Sequence, residues 1–226
     1  SGVNVNAVSD HAMALLLSLT RQLHTGRDNQ RQAYWRPMIS DLAQREDELP
    51  GKTILIFGLG KIGARLAKLA KAFDMTVIGL KRDTSQSVEH VDELYPSEAL
   101  MDLLPRADCT ALTCPLTPQT QNIIDGPALT AMKPSSFLIN VARGGCVDEP
   151  SLIEALRNNV IAGAGIDVTV EEPLADDSPL WSLENAMVTP HTGGETRKYE
   201  DNVIDILMTN LDRLSKGEGP LHNQII

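Results

Sequence analysis

A chain of 226 residues, 42% of them hydrophobic, is long and apolar enough to bury a substantial core and is no candidate for disorder. Its formal charge of −10, from 30 acidic and 20 basic residues, argues against a nucleic-acid partner, because phosphate repels such a surface. No apolar run reaches the roughly 18 residues that span a bilayer, so no membrane partner is expected, and Ser1-Gly2-Val3-Asn4 does not open like a secretion signal. Cys109, Cys114 and Cys146 are odd in number and lack metal-ligand spacing. They read as packing residues, suit a reducing cytoplasm, and give no reason to expect a metal.

Asp10 stands just before an apolar run with helical spacing, Ala12 to Leu19, which predicts a first helix. Residues 25–50 are polar and irregular, with Trp35-Arg36-Pro37 at their centre, and read as a connector. From Lys52 onward, short apolar strands alternate with amphipathic helices. Strands are expected at 53–57, 76–80, 108–112, 136–141, 162–167 and 186–189, and helices near 61–72, 97–104, 121–131 and 149–158. Such alternation means parallel βαβ units, and therefore an α/β fold with a doubly wound parallel sheet. A last helix, about 195–216, closes the domain. The chain begins in a helix, ends in an extended tail from Pro220 to Ile226, and has no initiator Met, so a second domain is expected before residue 1.

The first motif with chemistry is Gly58-Leu59-Gly60-Lys61-Ile62-Gly63, directly after the buried strand Thr53-Ile54-Leu55-Ile56-Phe57 and at the start of an amphipathic helix. Gly58 permits the tight turn, Gly60 lets a pyrophosphate approach the backbone, and Gly63 lets helix and strand pack closely. Phosphates would sit on the N–H groups of the helix start. A purely structural turn would use the same glycines, but the strand–turn–helix setting favours a dinucleotide. The expected organisation is then an N-terminal helix and connector (1–50), a Rossmann dinucleotide-binding domain (51–194), and a closing helix with its tail (195–226). The second strand ends in Lys81-Arg82, where a site for NAD normally presents an acid to the ribose hydroxyls, and Asp83 comes only later. Two cations there suit a 2′-phosphate. The reading is NADP(H) preferred, with NAD(H) as the alternative.

Three further segments fall at later strand ends, where ligands of open α/β sheets bind. They are Asn140-Val141-Ala142-Arg143-Gly144-Gly145, Gly165-Ile166-Asp167-Val168-Thr169-Val170-Glu171-Glu172-Pro173, and Thr189-Pro190-His191-Thr192-Gly193-Gly194. Taken singly, Arg143, Glu172 and His191 have bland readings as a surface charge, a solvated acid and a loop histidine. Taken together they supply what reduction of a 2-keto acid needs. Arg143 can fork onto a carboxylate, His191 can protonate the developing alkoxide, and Glu172 can hold His191, since a neighbouring carboxylate favours an imidazolium.

At these residues the sequence resembles the D-isomer-specific 2-hydroxyacid dehydrogenases, over essentially its whole length. Asn6-Ala7-Val8-Ser9-Asp10-His11 is similar to the helix leading into that family's nucleotide domain, and Pro115-Leu116-Thr117-Pro118-Gln119-Thr120 to its PLTPxT loop. The resemblance implies that Arg143 binds and polarises substrate, His191 is the acid/base, and Glu172 orients it. It also implies that Asp167 contacts the nicotinamide amide. Cys114, Pro115 and Thr120 would line the adenosine side, Val141 and Ala142 would border the cofactor, and Gly193 would lie near the nicotinamide. Lys81-Arg82 departs from the family's usual acid. The family's N-terminal substrate domain, which normally supplies contacts to the substrate carboxylate, has no counterpart in this chain. The texture of residues 73–83 resembles haloarchaeal members. The resemblance further implies a homodimer, with the first helix and the 25–50 connector as contact region. The sequence thus reads as an NADP(H)-using reductase of a small 2-keto acid. A glyoxylate/hydroxypyruvate reductase, or a non-catalytic dinucleotide-sensing regulator on the same fold, remains an alternative.

Overall fold

A computed structural model describes residues 2–42 and 45–224. Ala43 and Gln44 of the expected connector, Ser1, and Ile225 and Ile226 of the expected tail lie outside the described residues. Strands β1 (Thr53–Phe57), β2 (Thr76–Leu80), β3 (Glu93–Tyr95), β4 (Cys109–Leu112), β5 (Phe137–Asn140), β6 (Gly163–Ile166) and β7 (Ala186–Val188) form one seven-stranded sheet. The order is β3-β2-β1-β4-β5-β6-β7 and every pair is parallel. The order in which successive strands are added reverses between β1 and β4, so their carboxyl ends frame the crevice where such sheets bind ligands.

Period-two alternation decides which side chains face which helices. Ile54 and Ile56 of β1 point to a core shared with α1 (Val5–Thr20) and α3 (Lys61–Ala72). Leu55 and Phe57 point the other way, into a core with Leu129 of α5 (Gly126–Ala131) and Leu152 of α6 (Glu149–Arg157). Both faces are therefore covered, and each fully buried Leu or Ile contributes about 2 kcal/mol of transfer free energy. Helix α1 lies across β5, β6 and α3, burying Ala12, Leu15, Leu16 and Leu19. That placement brings the N-terminal helix to the carboxyl ends of the later strands.

Several boundaries differ from expectation. Helix α1 starts at Val5, so Asp10 is not its cap but an interior residue 3.6 Å from Arg65 of α3. The irregular connector contains a helix, α2 (Leu23–Arg31), which buries no residue and so lacks the apolar periodicity that would reveal it. Edge strand β3 was too short and too polar to read. The expected helix at 97–104 is a 3₁₀ turn, Ser97–Ala99, then α4 (Leu100–Leu103) and a second turn, Leu104–Arg106. The expected helix at 121–131 is only α5, because Asp125 caps it by accepting from the Ala128 amide at 3.0 Å. The last helix, α7 (Tyr199–Ser215), buries none of its residues and leaves Ile204, Leu207, Met208, Leu211 and Leu214 about half exposed. Its Asn202 Nδ2 donates to Val3 O at 2.9 Å, tying it to the start of α1. No described helix is long and apolar enough to cross a membrane.

Candidate active site

The glycine loop has the shape that its spacing requires. Gly58 sits at φ +104, and a Cβ there would come within 2.7 Å of the Cys114 backbone. A Cβ on Gly63 would meet Gly58 O at 2.3 Å, so α3 packs against the turn through bare backbone. Gly60 differs: a Cβ would meet nothing within 4 Å among the described residues. The space above it is open, and Gly60 caps α3 with no side-chain bond to the first-turn amides. A helix start without a side-chain cap among the described residues, and open room above it, fit the phosphates of a dinucleotide. Leu59 and Ile62 are half buried and Lys61 is exposed at this helix start. Thr113, which the sequence reading did not single out, holds the turn by donating from Oγ1 to Gly58 O at 2.7 Å.

Beside this loop, β2 delivers Lys81 and the exposed Arg82. The Gly58 amide donates to Leu80 O at 2.9 Å, which keeps the two strand ends adjacent. Asp83, the nearest acid, accepts from the Ser85 amide at 2.9 Å, and the Ser85 hydroxyl and amide hold its carboxyl below the usual range. On the β4 side, Thr120 closes its loop by donating to Pro115 O at 2.7 Å and accepting from the Thr117 amide at 2.8 Å. Pro115 is exposed, whereas Cys114 is buried with its Sγ 3.9 Å from that of Cys146. Cys109 is buried as well, so all three thiols pack inside the domain.

The later strand ends meet at a cleft of about 700 Å³ whose walls include Asn4, Val8, Ile62, Val141, Arg143, Asp167, His191, Gly194 and Tyr199. The structure thus brings Arg143 and His191 to one cleft next to the glycine-loop helix. Asn140 shapes the Arg143 turn: its Oδ1 accepts from the Ala142 amide at 3.1 Å and its Nδ2 donates to Arg143 O at 3.0 Å. Gly144 lets this turn press on the Thr169 backbone, where a Cβ would stand 2.0 Å from the carbonyl carbon. Val141 and Ala142 are buried, and the Arg143 guanidinium is exposed with Nη1 donating to Ala142 O at 2.6 Å.

His191 Nδ1 lies 2.7 Å from Glu172 Oε2. Glu172 Oε1 accepts in turn from the Thr169 amide at 3.1 Å, so the acid is itself fixed. With Nδ1 on the carboxylate, Nε2 is the ring nitrogen left to face a ligand. The two side chains are 45% and 38% exposed, which makes the pair weak as a stabilising ion pair and points to positioning instead. Asp167 is 3% exposed. It accepts from the Thr189 hydroxyl (2.6 Å) and the Thr192 amide (3.0 Å) on Oδ1, and from the Gly193 amide (2.9 Å) on Oδ2. Burial pushes its carboxyl up, but bonds from His11, Thr189 and Gly193 outweigh that and hold it below the usual 3.8.

Residues 13–193 match the family described as D-isomer specific 2-hydroxyacid dehydrogenase, NAD binding domain. The chain belongs to this family. A glyoxylate reductase of Pyrococcus furiosus is 37% identical over 224 residues, covering 96% of this chain and 65% of that protein. The chain therefore spans about 65% of the length of such relatives. Among solved structures of the family, a D-isomer specific 2-hydroxyacid dehydrogenase family protein from Aeromonas salmonicida superposes with a TM-score of 0.87 at 33% identity, covering all of this chain and 70% of that one. An NADPH-dependent glyoxylate/hydroxypyruvate reductase of Sinorhizobium meliloti, solved with NADP and sulfate, gives 0.84 at 26% identity over 100% and 69%. As a dehydrogenase-family nucleotide domain, the chain has a Rossmann-like sheet suited to a nicotinamide dinucleotide.

Proposed function

We propose that this chain is the cofactor-binding half of an NADP(H)-dependent reductase of a short 2-keto acid, with glyoxylate the first substrate to try. The observation that carries the reading is the His191–Glu172 contact of 2.7 Å at the cleft that Arg143 also borders. A pure dinucleotide sensor has no use for an oriented acid/base pair. The relatives named glyoxylate reductase support a small substrate.

When bound, the reduced nicotinamide supplies a hydride to the carbonyl carbon. Arg143 forks onto the substrate carboxylate and polarises the carbonyl. His191 gives the Nε2 proton to the carbonyl oxygen as negative charge develops there, while Glu172 keeps the ring in place through Nδ1. Asp167, on the cleft wall, would accept from the nicotinamide amide, with Gly193 close to that ring. Pro115 and Thr120 border the adenosine, and Lys81 and Arg82 take the 2′-phosphate.

Substituting both Lys81 and Arg82 by Ala should weaken NADPH binding by about a hundredfold, each charge-assisted bond contributing about 1.5 kcal/mol, and leave NADH binding nearly unchanged. Fluorescence titration of the chain with each cofactor measures this. Equal small losses for both cofactors would assign the basic pair to the solvated surface.

The family's N-terminal substrate domain would complete the cleft, packing on the open apolar face of α7. The protein would work as a homodimer in a cytoplasmic setting. Trp35 is 95% exposed and Met38 80%, beside Tyr34 and Leu42, on a segment that also carries Arg21, Arg27, Arg31 and Arg36 in a chain of charge −10. A basic, apolar arm on an acidic protein suits a second copy as its partner. Trp35→Glu combined with Met38→Glu should convert a dimer to a monomer in sedimentation velocity. A dimer that survives both changes places the interface elsewhere.

A further inference from the structure

The acid/base reading uses His191 but does not say what holds the segment that carries it. His191 sits at φ +57, in the left-handed region, and its amide donates to Thr189 O at 3.0 Å in a tight turn. Three inward bonds of this segment converge on Asp167, from the Thr189 hydroxyl and from the Thr192 and Gly193 amides. His11 reaches the same point from α1. Its Nε2 lies 2.9 Å from Thr189 Oγ1 and 3.2 Å from Asp167 Oδ1. The single hydroxyl proton of Thr189 already lies on Asp167, so His11 Nε2 must carry a hydrogen and donate it. The ring also backs the turn sterically: a Cβ on Gly193 would stand 3.2 Å from His11 Cδ2 and 2.7 Å from Asp167 Oδ2.

We propose that His11 is a positioning residue for His191, acting through Thr189 and Asp167 to lock the 189–193 turn in its left-handed form. The proposal rests on the assignment of His191 as the acid/base. Helix α1 packs on β5 and β6, so His11 fastens the turn to a rigid element rather than to another loop. Two carboxylate–histidine contacts then bracket the turn, Glu172 on the ring of His191 and Asp167 with His11 beneath it. Nε2 carries a hydrogen in the imidazolium and in the Nε2–H neutral tautomer alike, so the donated bond does not require a charge on His11.

The test compares His11→Leu, which fills the space without a donor, with His11→Gln, which offers an amide N–H at similar reach. In the protein carrying its substrate domain, His11→Leu should lower kcat for glyoxylate reduction by about ten- to a hundredfold with a smaller change in KM, as misplacement of a reacting group does. His11→Gln should recover most of that loss. In the chain alone, the Thr192 and Gly193 amides should exchange with solvent about tenfold faster in His11→Leu, and near the parent rate in His11→Gln. A His11→Leu protein with parental kcat and parental exchange overturns the proposal. Equal impairment of the two variants also overturns it, because ring shape and not donation would then be at work. His191→Ala run in parallel separates the two ideas: parental turnover in that variant defeats the acid/base reading, while the amide exchange still decides whether His11 holds the turn.

Discussion

Replacing His191 by Ala is expected to lower kcat for 2-keto acid reduction by about a thousandfold, in the range attributed to a positioned general acid, while NADPH binds with unchanged affinity. The two effects separate because of where the ring stands. Its Nδ1 is engaged by Glu172 and the side chain is 45% exposed at the cleft, so removing it leaves no buried group unpaired and no cavity in either core. The glycine turn, built by Gly58, Gly63 and Thr113, is untouched. Single-turnover measurement of reduced-nicotinamide loss, beside a cofactor titration, checks both halves. Turnover within a fewfold of the parent would remove proton transfer from His191.

Asp167→Leu should be the most damaging single change for stability, at about 3–5 kcal/mol, the usual effect of deleting one member of a buried charged network. The replacement fits the volume roughly but strands the Thr189 hydroxyl and two backbone amides without their acceptor and removes one of the two contacts of His11 Nε2. In a domain of this size that is a fall in Tm of about 10 °C or more. The acid side of the stability profile should change too. The Asp167 carboxyl is held below its ordinary 3.8 in the folded state, so its contribution is complete above that value and lost as pH falls through the folded pKa. The parent should therefore lose stability steeply below about pH 4, and Asp167→Asn should show a flatter acid limb. Urea unfolding across that window measures the difference, and identical limbs would mean that the carboxylate is not linked to folding.

The parts legible in the sequence are those in which a residue type is forced by local geometry. Gly58 at φ +104 and Gly63 against Gly58 O can be nothing larger, so their spacing after an apolar strand announces the turn. Strand–helix alternation fixed the parallel sheet because strands buried on both faces need continuous apolar runs, as in Ile54-Leu55-Ile56-Phe57. Arg143, Glu172 and His191 were readable as a set, and Glu172 and His191 do meet; what holds each of them was not. Asn140 is an ordinary strand-end residue until its side chain is seen bridging the Ala142 amide and Arg143 O. His11 could be placed on a helix, but its partners Asp167 and Thr189 lie far along the chain and meet it only because α1 crosses β5 and β6. Helix α2 buries nothing and β3 is a three-residue edge, so neither has the periodicity that reports packing.

The most direct measurement is oxidation of NADPH by glyoxylate, followed as loss of reduced-nicotinamide absorbance in the protein with its substrate domain, for the parent and for Arg143→Lys. Turnover by the parent with NADPH, slower turnover with NADH, and near-complete loss in Arg143→Lys is the expected result, since a point charge cannot replace the guanidinium fork. A folded, NADPH-binding parent that reduces neither glyoxylate nor any other short 2-keto acid would contradict the assignment of a reductase and favour a dinucleotide sensor on the same fold.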